Sequence, residues 1–412
     1  MRPSILFASD RMLGGSSAYS KISYETCVRL VKEGYTVSHL PMGMANKMGR
    51  QLYEGVVILQ SGNDPFGEDV AVSEYLQQKA DLLIVNKETW NLRTIPKWGI
   101  NFVPICPIDH SPVSSFITSK LEYAFKVISI SRHGQQELQR KGIKSTYIPN
   151  GCRTDLFKPM DKALCKKAFY FEPDDFIIGL VARNQSRKMI PRQLRIYKRF
   201  LEMNPNIKCH LMIWTNVAPY RSPEDTVTSV ADVGVHLLPE LYELGLGNPP
   251  NDVRWTKWEE VDKIGGLPDY SPSGAWDMTK LFNSFDVLLG CSGGEGAGII
   301  YLEAAACGVS SVYTDYAAAP EYAGSAGLPV KASDYVILNT PGTRYALADI
   351  DMAAEALTKI YYADREKLAK RNRIHAEKYS WDRVISQYWK PFLEECKDEL
   401  YPLAKNGGWT TW

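Results

Sequence analysis

Short apolar runs alternate with longer mixed segments along most of this chain. In the first part these runs are SILFA, TVSHL, VVILQ, DLLIV, FVPIC and KVISI, and the segments between them carry helical patterns, as from Tyr19 to Glu33. After a polar segment from Phe157 to Asp175, the pattern restarts with DFIIGLVA, KCHLMIW, FDVLLG and VSSVYT. Strands alternating with helices predict a parallel, doubly wound sheet. The sequence therefore predicts an α/β chain with two such domains in tandem.

The length of the chain agrees with this division, because 412 residues exceed what one hydrophobic core usually organises. We place the first domain at residues 1–170 and the second at 171–385. Apolar and aromatic residues recur at three- and four-residue spacing near the C-terminus, which predicts an amphipathic helix over 386–405. The stretch from Val217 to Ala275 is rich in proline and glycine, with a helix predicted in LLPELYELGL and a short strand near VRWT.

Two glutamates in CSGGEGAGIIYLEAAACG are the strongest functional signal. Glu295 lies in a glycine-rich loop after a predicted buried strand, and Glu303 lies on the predicted helix that ends near Gly308. A strand, a glycine-rich turn and a helix together leave backbone N–H groups free to hold a phosphate. Carboxylates beside a phosphate would repel it unless they bind hydroxyl groups. The segment therefore predicts a nucleotide-sugar ligand, the alternative being two glutamates spaced by chance.

Composition narrows the classes of partner. The formal net charge is +1, which provides no large basic surface for nucleic acid. The eight cysteines form no C-x-x-C pair, so neither a zinc site nor a disulfide framework is predicted. We expect a cytoplasmic protein, since the apolar run at the N-terminus is too short for a signal peptide and no segment is long enough to span a membrane. Peripheral membrane contact stays possible.

Cations and glycines follow other predicted strands. Arg183 and Lys188 come after the first strand of the second domain, where open α/β sheets bind ligands. Because Arg187 adjoins Lys188, the register of the functional pair is left open. Gly14 and Gly15 form a turn before the first helix, and such a turn lets backbone approach a ligand closely.

These segments resemble the retaining glycosyltransferases of family 4, which have the GT-B fold of two Rossmann-like domains around a cleft. The resemblance rests on the E-x7-E segment, on Arg183 and Lys188, on the N-terminal glycine pair, and on YIPNGCRTDLFKP with Asn150 and Gly151. Three departures are that Ala297 replaces a phenylalanine, that Cys152 and Arg153 replace a valine and an aspartate, and that the stretch from Val217 to Ala275 is unusually long.

The resemblance implies the transfer of a sugar from a nucleoside-diphosphate sugar to a hydroxyl acceptor, with retention of configuration. Arg183 and Lys188 would neutralise the leaving diphosphate, Glu295 would bind the sugar, and Glu303 would bind the ribose. His110, at the end of the strand FVPIC, would reach the sugar. The start of the helix, with Gly296, Gly298 and Ile299, would hold the phosphates beside Gly14 and Gly15.

No cofactor and no metal ion are expected, because no D-x-D motif lies near the site. The resemblance also makes the first domain the acceptor side, and it sends the C-terminal helix back to that domain. Two alternatives stay open: a nucleotide-sugar epimerase of the same fold, and a non-catalytic sugar-nucleotide-binding protein. The donor base, the sugar and the acceptor are not readable from the sequence.

Overall fold

The first half of the chain forms one large parallel sheet. The computed structural model describes residues 2–10, 13, 17–42, 49–215, 234–246, 253–255, 278–338 and 342–402. The strands of the first sheet are β1 (Ile5–Ser9), β2 (Val37–Pro41), β3 (Gln51–Tyr53), β4 (Val56–Ile58), β5 (Leu82–Asn86), β6 (Phe102–Cys106), β7 (Ile128–Ser129) and β8 (Thr146–Tyr147). Their order is β3-β4-β2-β1-β5-β6-β7-β8, and β3 is antiparallel to β4. All six predicted apolar runs are therefore strands of one sheet.

The helices between these strands are α1 (Ala18–Lys32), α2 (Ala71–Gln77), α3 (Ser115–Thr118) and α4 (Arg132–Arg140). Helix α1 begins where the Oγ of Ser17 accepts a hydrogen bond from the N–H of Ser20 at 3.0 Å. The apolar residues of α1 pack on β1, so the helix lies on one face of the sheet with its start at the strands' carboxyl ends. This edge of the sheet faces the second domain.

The second half forms a six-stranded parallel sheet of order β11-β10-β9-β12-β13-β14. Its strands are β9 (Phe176–Val181), β10 (Cys209–Trp214), β11 (Val253–Trp255), β12 (Val287–Gly290), β13 (Ser310–Thr314) and β14 (Leu328–Val330). The helices that follow in chain order are α5 (Lys162–Ala168), α6 (Ile190–Met203), α7 (Leu237–Glu243), α8 (Met278–Ser284), α9 (Ile299–Ala306), α10 (Ala319–Ala323), α11 (Ile350–Tyr362) and α12 (Arg365–Glu377).

An antiparallel hairpin of β15 (Ala332–Leu338) and β16 (Thr343–Ala348) stands apart from both sheets. Our sequence analysis did not predict it. A hairpin could have been predicted from the alternating residues of YVIL and TRYALA, because a proline and a glycine lie between the two runs.

The C-terminal segment runs through α13 (Trp381–Val384), a π-helical turn (Ile385–Trp389) and α14 (Lys390–Leu400). It lies against the first sheet: the rings of Trp389 and Phe7 are 6.4 Å apart between centroids. Lys390 pairs with Glu33 at 2.7 Å at the end of α1. The segment that follows the second domain therefore contacts the first.

Helix α5 falls within residues 1–170 but packs with the second domain. The buried ammonium of Lys166 lies 2.9 Å from Asp286, just before β12. The side-chain amide of Asn283, on α8, donates to the carbonyl of Lys158 at 3.0 Å. The chain therefore leaves the first sheet after β8, and Lys158 and Lys166 already contact the second domain.

Buried apolar clusters cover both faces of each sheet, and one of them extends across both domains. It joins Phe7 and Ile105 of the first sheet, Trp381 and Trp389 of the C-terminal segment, and Phe285 near the second sheet. The two sheets therefore share a continuous apolar contact beside the cleft. Within the described residues, no helix has the length and apolar character needed to cross a membrane.

Candidate active site

The glycine-rich loop between β12 and α9 lies at the carboxyl edge of the second sheet. Gly298 is the N-cap of α9 and has φ +79, in the left-handed region that glycine tolerates best. Among the described residues, no side chain caps this helix. The first N–H groups of α9 are thus presented to the cleft, in the arrangement that favours an anion.

Glu295, in this loop, is buried and held by two cations. Its Oε1 lies 2.5 Å from the Nζ of Lys188, and its Oε2 lies 3.3 Å from the Nη1 of Arg187. The side chain of Glu295 is 7% exposed and that of Lys188 is 12% exposed. Glu295 is therefore not a surface glutamate, and its charge is matched at short range inside the protein.

The charge states follow from this geometry. Burial alone would raise the pKa of Glu295, but Lys188 and Arg187 lower it to about 2. Burial lowers the pKa of the Lys188 ammonium, and Glu295 opposes that change. The pKa of Arg187 is raised because Glu295 and Asp109 outweigh the effect of burial. Glu295 and Arg187 therefore carry their charges at neutral pH.

Arg187 joins the two domains. Its Nη1 donates to the carbonyl of Gly294 at 3.0 Å, and its Nε lies 3.8 Å from Asp109 in the loop after β6. A short 3-10 turn over Ser186–Lys188 aims the side chain into the cleft, and the turn ends at Met189 with φ +49. Sequence reasoning left the register of the cations open, and the structure brings Arg187 and Lys188 to Glu295.

Arg183 lies elsewhere on the same loop. It is exposed and is not among the described residues that contact Glu295. It follows the carboxyl end of β9, so its side chain lies at the sheet edge that borders the cleft. The predicted pair of Arg183 and Lys188 therefore does not contact one shared carboxylate among the described residues.

His110 is buried beside the same interdomain contact. Its Nδ1 donates to Asp109 at 2.8 Å, while its Nε2 accepts the N–H of Ser114 at 3.4 Å. Its carbonyl accepts a hydrogen bond from His133 at 3.0 Å. The structure thus places His110 one residue from the partner of Arg187, with both ring nitrogens engaged.

The glycines of the loop permit close contact between the domains. A Cβ at Gly294 would lie 2.1 Å from the carbonyl oxygen of Asp109. A Cβ at Gly296 would lie 3.0 Å from the ring of Pro107. Backbone of the second domain therefore packs directly on backbone of the first, and this contact needs residues without side chains.

Replacing Gly294 with alanine is therefore expected to force this contact apart. The new Cβ meets a backbone oxygen that cannot rotate away, and overpacking of this kind costs about 1–3 kcal/mol. Thermal and denaturant unfolding would measure the loss. An unchanged free energy of unfolding would show that the domains do not meet at Gly294 in solution.

A cavity of about 200 Å³ lies between the domains beside the start of α9. Glu303 lines it and is 8% exposed. The first domain contributes α1, the second contributes the start of α9, and the linker between the domains (residues 151–153) and Trp381 form the rest of the wall. The lining residues are Ala18, Lys21, Ile22, Glu25, Gly151, Cys152, Arg153, Ile299, Ile300, Glu303 and Trp381. Ile299 and Glu303 of the predicted site are thus brought together, while Glu295 is not among the lining residues.

A tyrosine that sequence reasoning missed also bridges the domains. The hydroxyl of Tyr316 accepts the N–H of Ser111 in the first domain at 2.8 Å and donates to the carbonyl of Arg344 in the β15–β16 hairpin at 2.8 Å. In the same hairpin, Tyr345 packs on Gly293 and Gly294. The hairpin therefore packs against the loop that carries Glu295.

Gly14 and Gly15 lie outside the described residues. Within the part of the chain that the structure describes, no three His, Cys, Asp or Glu side chains are grouped so as to hold a metal ion. A metal-independent reaction stays a prediction.

Comparison with known proteins adds sequence relatives. The chain is 26% identical over 247 residues to the D-inositol 3-phosphate glycosyltransferase of Actinosynnema mirum, in a match covering 58% of this chain and 49% of that protein. The protein of the same name from Saccharomonospora viridis is 25% identical over 239 residues, covering 58% of this chain and 47% of the relative. The chain thus spans about half the length of these curated relatives. No family model matches the chain.

Solved structures match almost the whole chain. A sucrose-phosphate synthase from Thermosynechococcus elongatus superposes with a TM-score of 0.70 at 16% identity, over 95% of this chain and 99% of that one. Anabaena HepE, solved with UDP and glucose, superposes with a TM-score of 0.67 at 14% identity, over 95% of this chain and 100% of that one. WaaG, a glycosyltransferase involved in lipopolysaccharide biosynthesis, superposes with a TM-score of 0.63 at 13% identity, over 97% of this chain and 100% of that one. The chain has the GT-B fold. The predicted fold class is confirmed, and the sites described above lie in the cleft between the two GT-B domains.

Proposed function

We propose that this chain is a retaining glycosyltransferase that moves a sugar from a nucleoside-diphosphate sugar to a hydroxyl acceptor without a metal ion. The names of the sequence relatives support sugar transfer. Similar structures solved with UDP and with UDP-glucose support a nucleotide-sugar donor. The acceptor is a glycan, a lipid or a small molecule.

The observation that carries this proposal is the division of charges around α9. One buried carboxylate, Glu303, faces a cavity beside the helix, and another, Glu295, lies in the loop before it with Lys188 and Arg187. A nucleotide sugar requires this combination, because its hydroxyl groups need acceptors and its phosphates need cations and N–H donors. In this proposal Glu303 binds the ribose, and Glu295 binds the transferred sugar.

Departure of the diphosphate is the difficult step, because negative charge develops on the leaving oxygen. Donors that are already aimed at this oxygen lower the barrier without reorganising. Lys188 can supply such a donor, since an ammonium has N–H groups beyond the one that Glu295 accepts. The exposed Arg183 supplies the second cation, while Arg187 holds Glu295 and Asp109. The start of α9 adds its own N–H groups.

Retention follows from the resemblance to family 4. The bond between the anomeric carbon and the phosphate oxygen breaks, and the acceptor oxygen bonds to the same face of that carbon. The proton of the acceptor hydroxyl passes to the leaving phosphate. The protein would hold the sugar and stabilise the charge without a covalent intermediate.

Replacing Glu303 with alanine tests the ribose assignment. Hydrogen bonds to charged groups contribute roughly 1.5–3 kcal/mol, so the affinity for a nucleoside diphosphate should fall about tenfold or more. Titration calorimetry would measure it. Glu355, an exposed glutamate on α11, provides the matched control, and Glu355→Ala should bind as the unmodified chain does. Equal dissociation constants for Glu303→Ala and the control would refute the assignment.

A further inference from the structure

His110 and Glu295, the two side chains that the family resemblance assigns to the transferred sugar, lie on different domains. His110 follows β6 of the first sheet, and Glu295 lies in the loop between β12 and α9 of the second. Their separation therefore depends on how the two domains meet. A misplacement of about 1 Å in an active site can lower the rate by about 10²-fold, so the proposed transfer requires contacts that fix this separation.

Tyr316 lies in a turn that is bonded to the loop carrying Glu295. The turn follows β13, and the N–H of Ala318 in this turn donates to the carbonyl of Glu295 at 3.1 Å. Ala317, next to Tyr316, has φ +53, in the left-handed region that alanine rarely adopts. Such a conformation persists only where the surrounding contacts determine the backbone. The position of Tyr316 is therefore fixed relative to Glu295.

The hydroxyl of Tyr316 reaches the first-domain segment that carries His110. It accepts a hydrogen bond from the N–H of Ser111, the residue after His110, at 2.8 Å. The ring of Tyr316 lies 6.4 Å from the ring of His133 between centroids, and His133 in turn donates to the carbonyl of His110 at 3.0 Å. Tyr316 is thus connected to the surroundings of His110 through both its hydroxyl and its ring.

The hydroxyl also joins Tyr316 to the β15–β16 hairpin, because it donates to the carbonyl of Arg344 at 2.8 Å. Two residues further along, the N–H of Ala346 donates to the carbonyl of Gly293 at 2.8 Å, in the loop that carries Glu295. The hairpin therefore connects Tyr316 to this loop by a second path. A phenolic hydroxyl both donates and accepts, so it bonds to one partner in each domain, which a phenylalanine ring cannot do.

We propose that Tyr316 is a positioning residue, whose hydroxyl sets the separation of His110 and Glu295 across the cleft. This inference rests on the proposed function, because it takes both side chains to bind the transferred sugar. Tyr316 acts through the backbone beside each of them and not on the reacting atoms. Loss of the hydroxyl should therefore slow the chemical step and spare the binding of a nucleoside diphosphate, which lacks the transferred sugar.

The variant Tyr316→Phe tests the inference on the full chain, because it removes the hydroxyl and keeps the ring. The kcat for release of nucleoside diphosphate from UDP-glucose or GDP-mannose should fall about tenfold or more, since the two sugar contacts lose their fixed separation. Titration calorimetry should give unchanged dissociation constants for UDP and GDP. Amide hydrogen exchange should become faster around Ser111, because its N–H loses its partner.

The variant Tyr322→Phe is the matched control. The hydroxyl of Tyr322 also joins the domains, because it accepts the N–H of Asn150 at 3.0 Å and donates to the carbonyl of Ile130 at 2.6 Å. Neither partner adjoins His110 or Glu295 in the sequence. This variant should lose stability, since it leaves buried polar groups unpaired, but its kcat should stay close to that of the unmodified chain.

Unchanged kcat in Tyr316→Phe, or unchanged exchange around Ser111, would overturn the inference. An equal fall of kcat in Tyr316→Phe and Tyr322→Phe would overturn it as well, because any bond between the domains would then have the same effect. A parallel fall of kcat and nucleotide affinity in Tyr316→Phe would show a merely structural role. Failure of the unmodified chain to release nucleoside diphosphate from either donor would instead contradict the proposed function.

Discussion

Replacing Lys188 with alanine is expected to lower the turnover of sugar transfer by about 10²-fold or more, the scale for losing one donor aimed at a developing oxyanion. The ammonium is buried beside the start of α9 and is held by Glu295, so it is already in place before the diphosphate leaves. Arg183→Ala should cause a loss of similar size. Steady-state rates with a saturating donor would measure both effects.

Controls for folding are needed, because the side chain of Lys188 is largely buried and pairs with Glu295. Its removal leaves Glu295 with Arg187 as its only cationic partner among the described residues. Thermal unfolding should therefore accompany the rate measurements. Lys359→Ala changes an exposed lysine on α11 and should leave turnover unaltered. Unmodified rates in Lys188→Ala and Arg183→Ala would remove both cations from the mechanism.

Replacing Glu295 with glutamine should also lower turnover strongly, but for a different reason. The substitution keeps the size of the side chain and one oxygen, and it removes the charge that faces the sugar as the anomeric carbon becomes positive. Affinity for the nucleoside diphosphate should stay constant or rise slightly, because that ligand lacks the sugar and Lys188 loses a competing carboxylate.

Calorimetry with the nucleoside diphosphate, together with an assay of transfer or donor hydrolysis, separates these effects. A loss of turnover without a loss of nucleotide affinity would agree with sugar recognition by Glu295. Parallel losses would mean that the loop is structural, or that Glu295 and Glu303 have exchanged roles. The two carboxylates already differ in the structure, because Glu303 lines the cavity and Glu295 is held by cations.

Much of the fold could be predicted from the sequence, because buried parallel strands appear as continuous apolar runs. DFIIGLVA and FDVLLG are each buried on both faces, and they form adjacent strands β9 and β12. The helix after Glu295 was also readable, since Gly298 and Gly308 mark its two ends with positive φ. These features depend on residues close together in the sequence.

Contacts between the domains could not be predicted from local sequence patterns. Whether Arg183 or Arg187 meets Glu295 depends on one short turn that ends at Met189 with a left-handed backbone, and the residue types do not reveal that turn. The partner of Arg187, Asp109, lies far away in the sequence. The bridge from Tyr316 to Ser111 similarly joins residues 205 positions apart.

Proton NMR of the anomeric region distinguishes retention from inversion in the sugar transfer proposed for this GT-B chain. The chain would be incubated with α-linked donors such as GDP-mannose and UDP-glucose, in the presence and absence of hydroxyl acceptors. We expect release of the nucleoside diphosphate and an α-configured product at early times, before mutarotation. A β-configured first product would contradict retention, and binding of nucleoside diphosphates without any turnover would contradict the assignment as an enzyme.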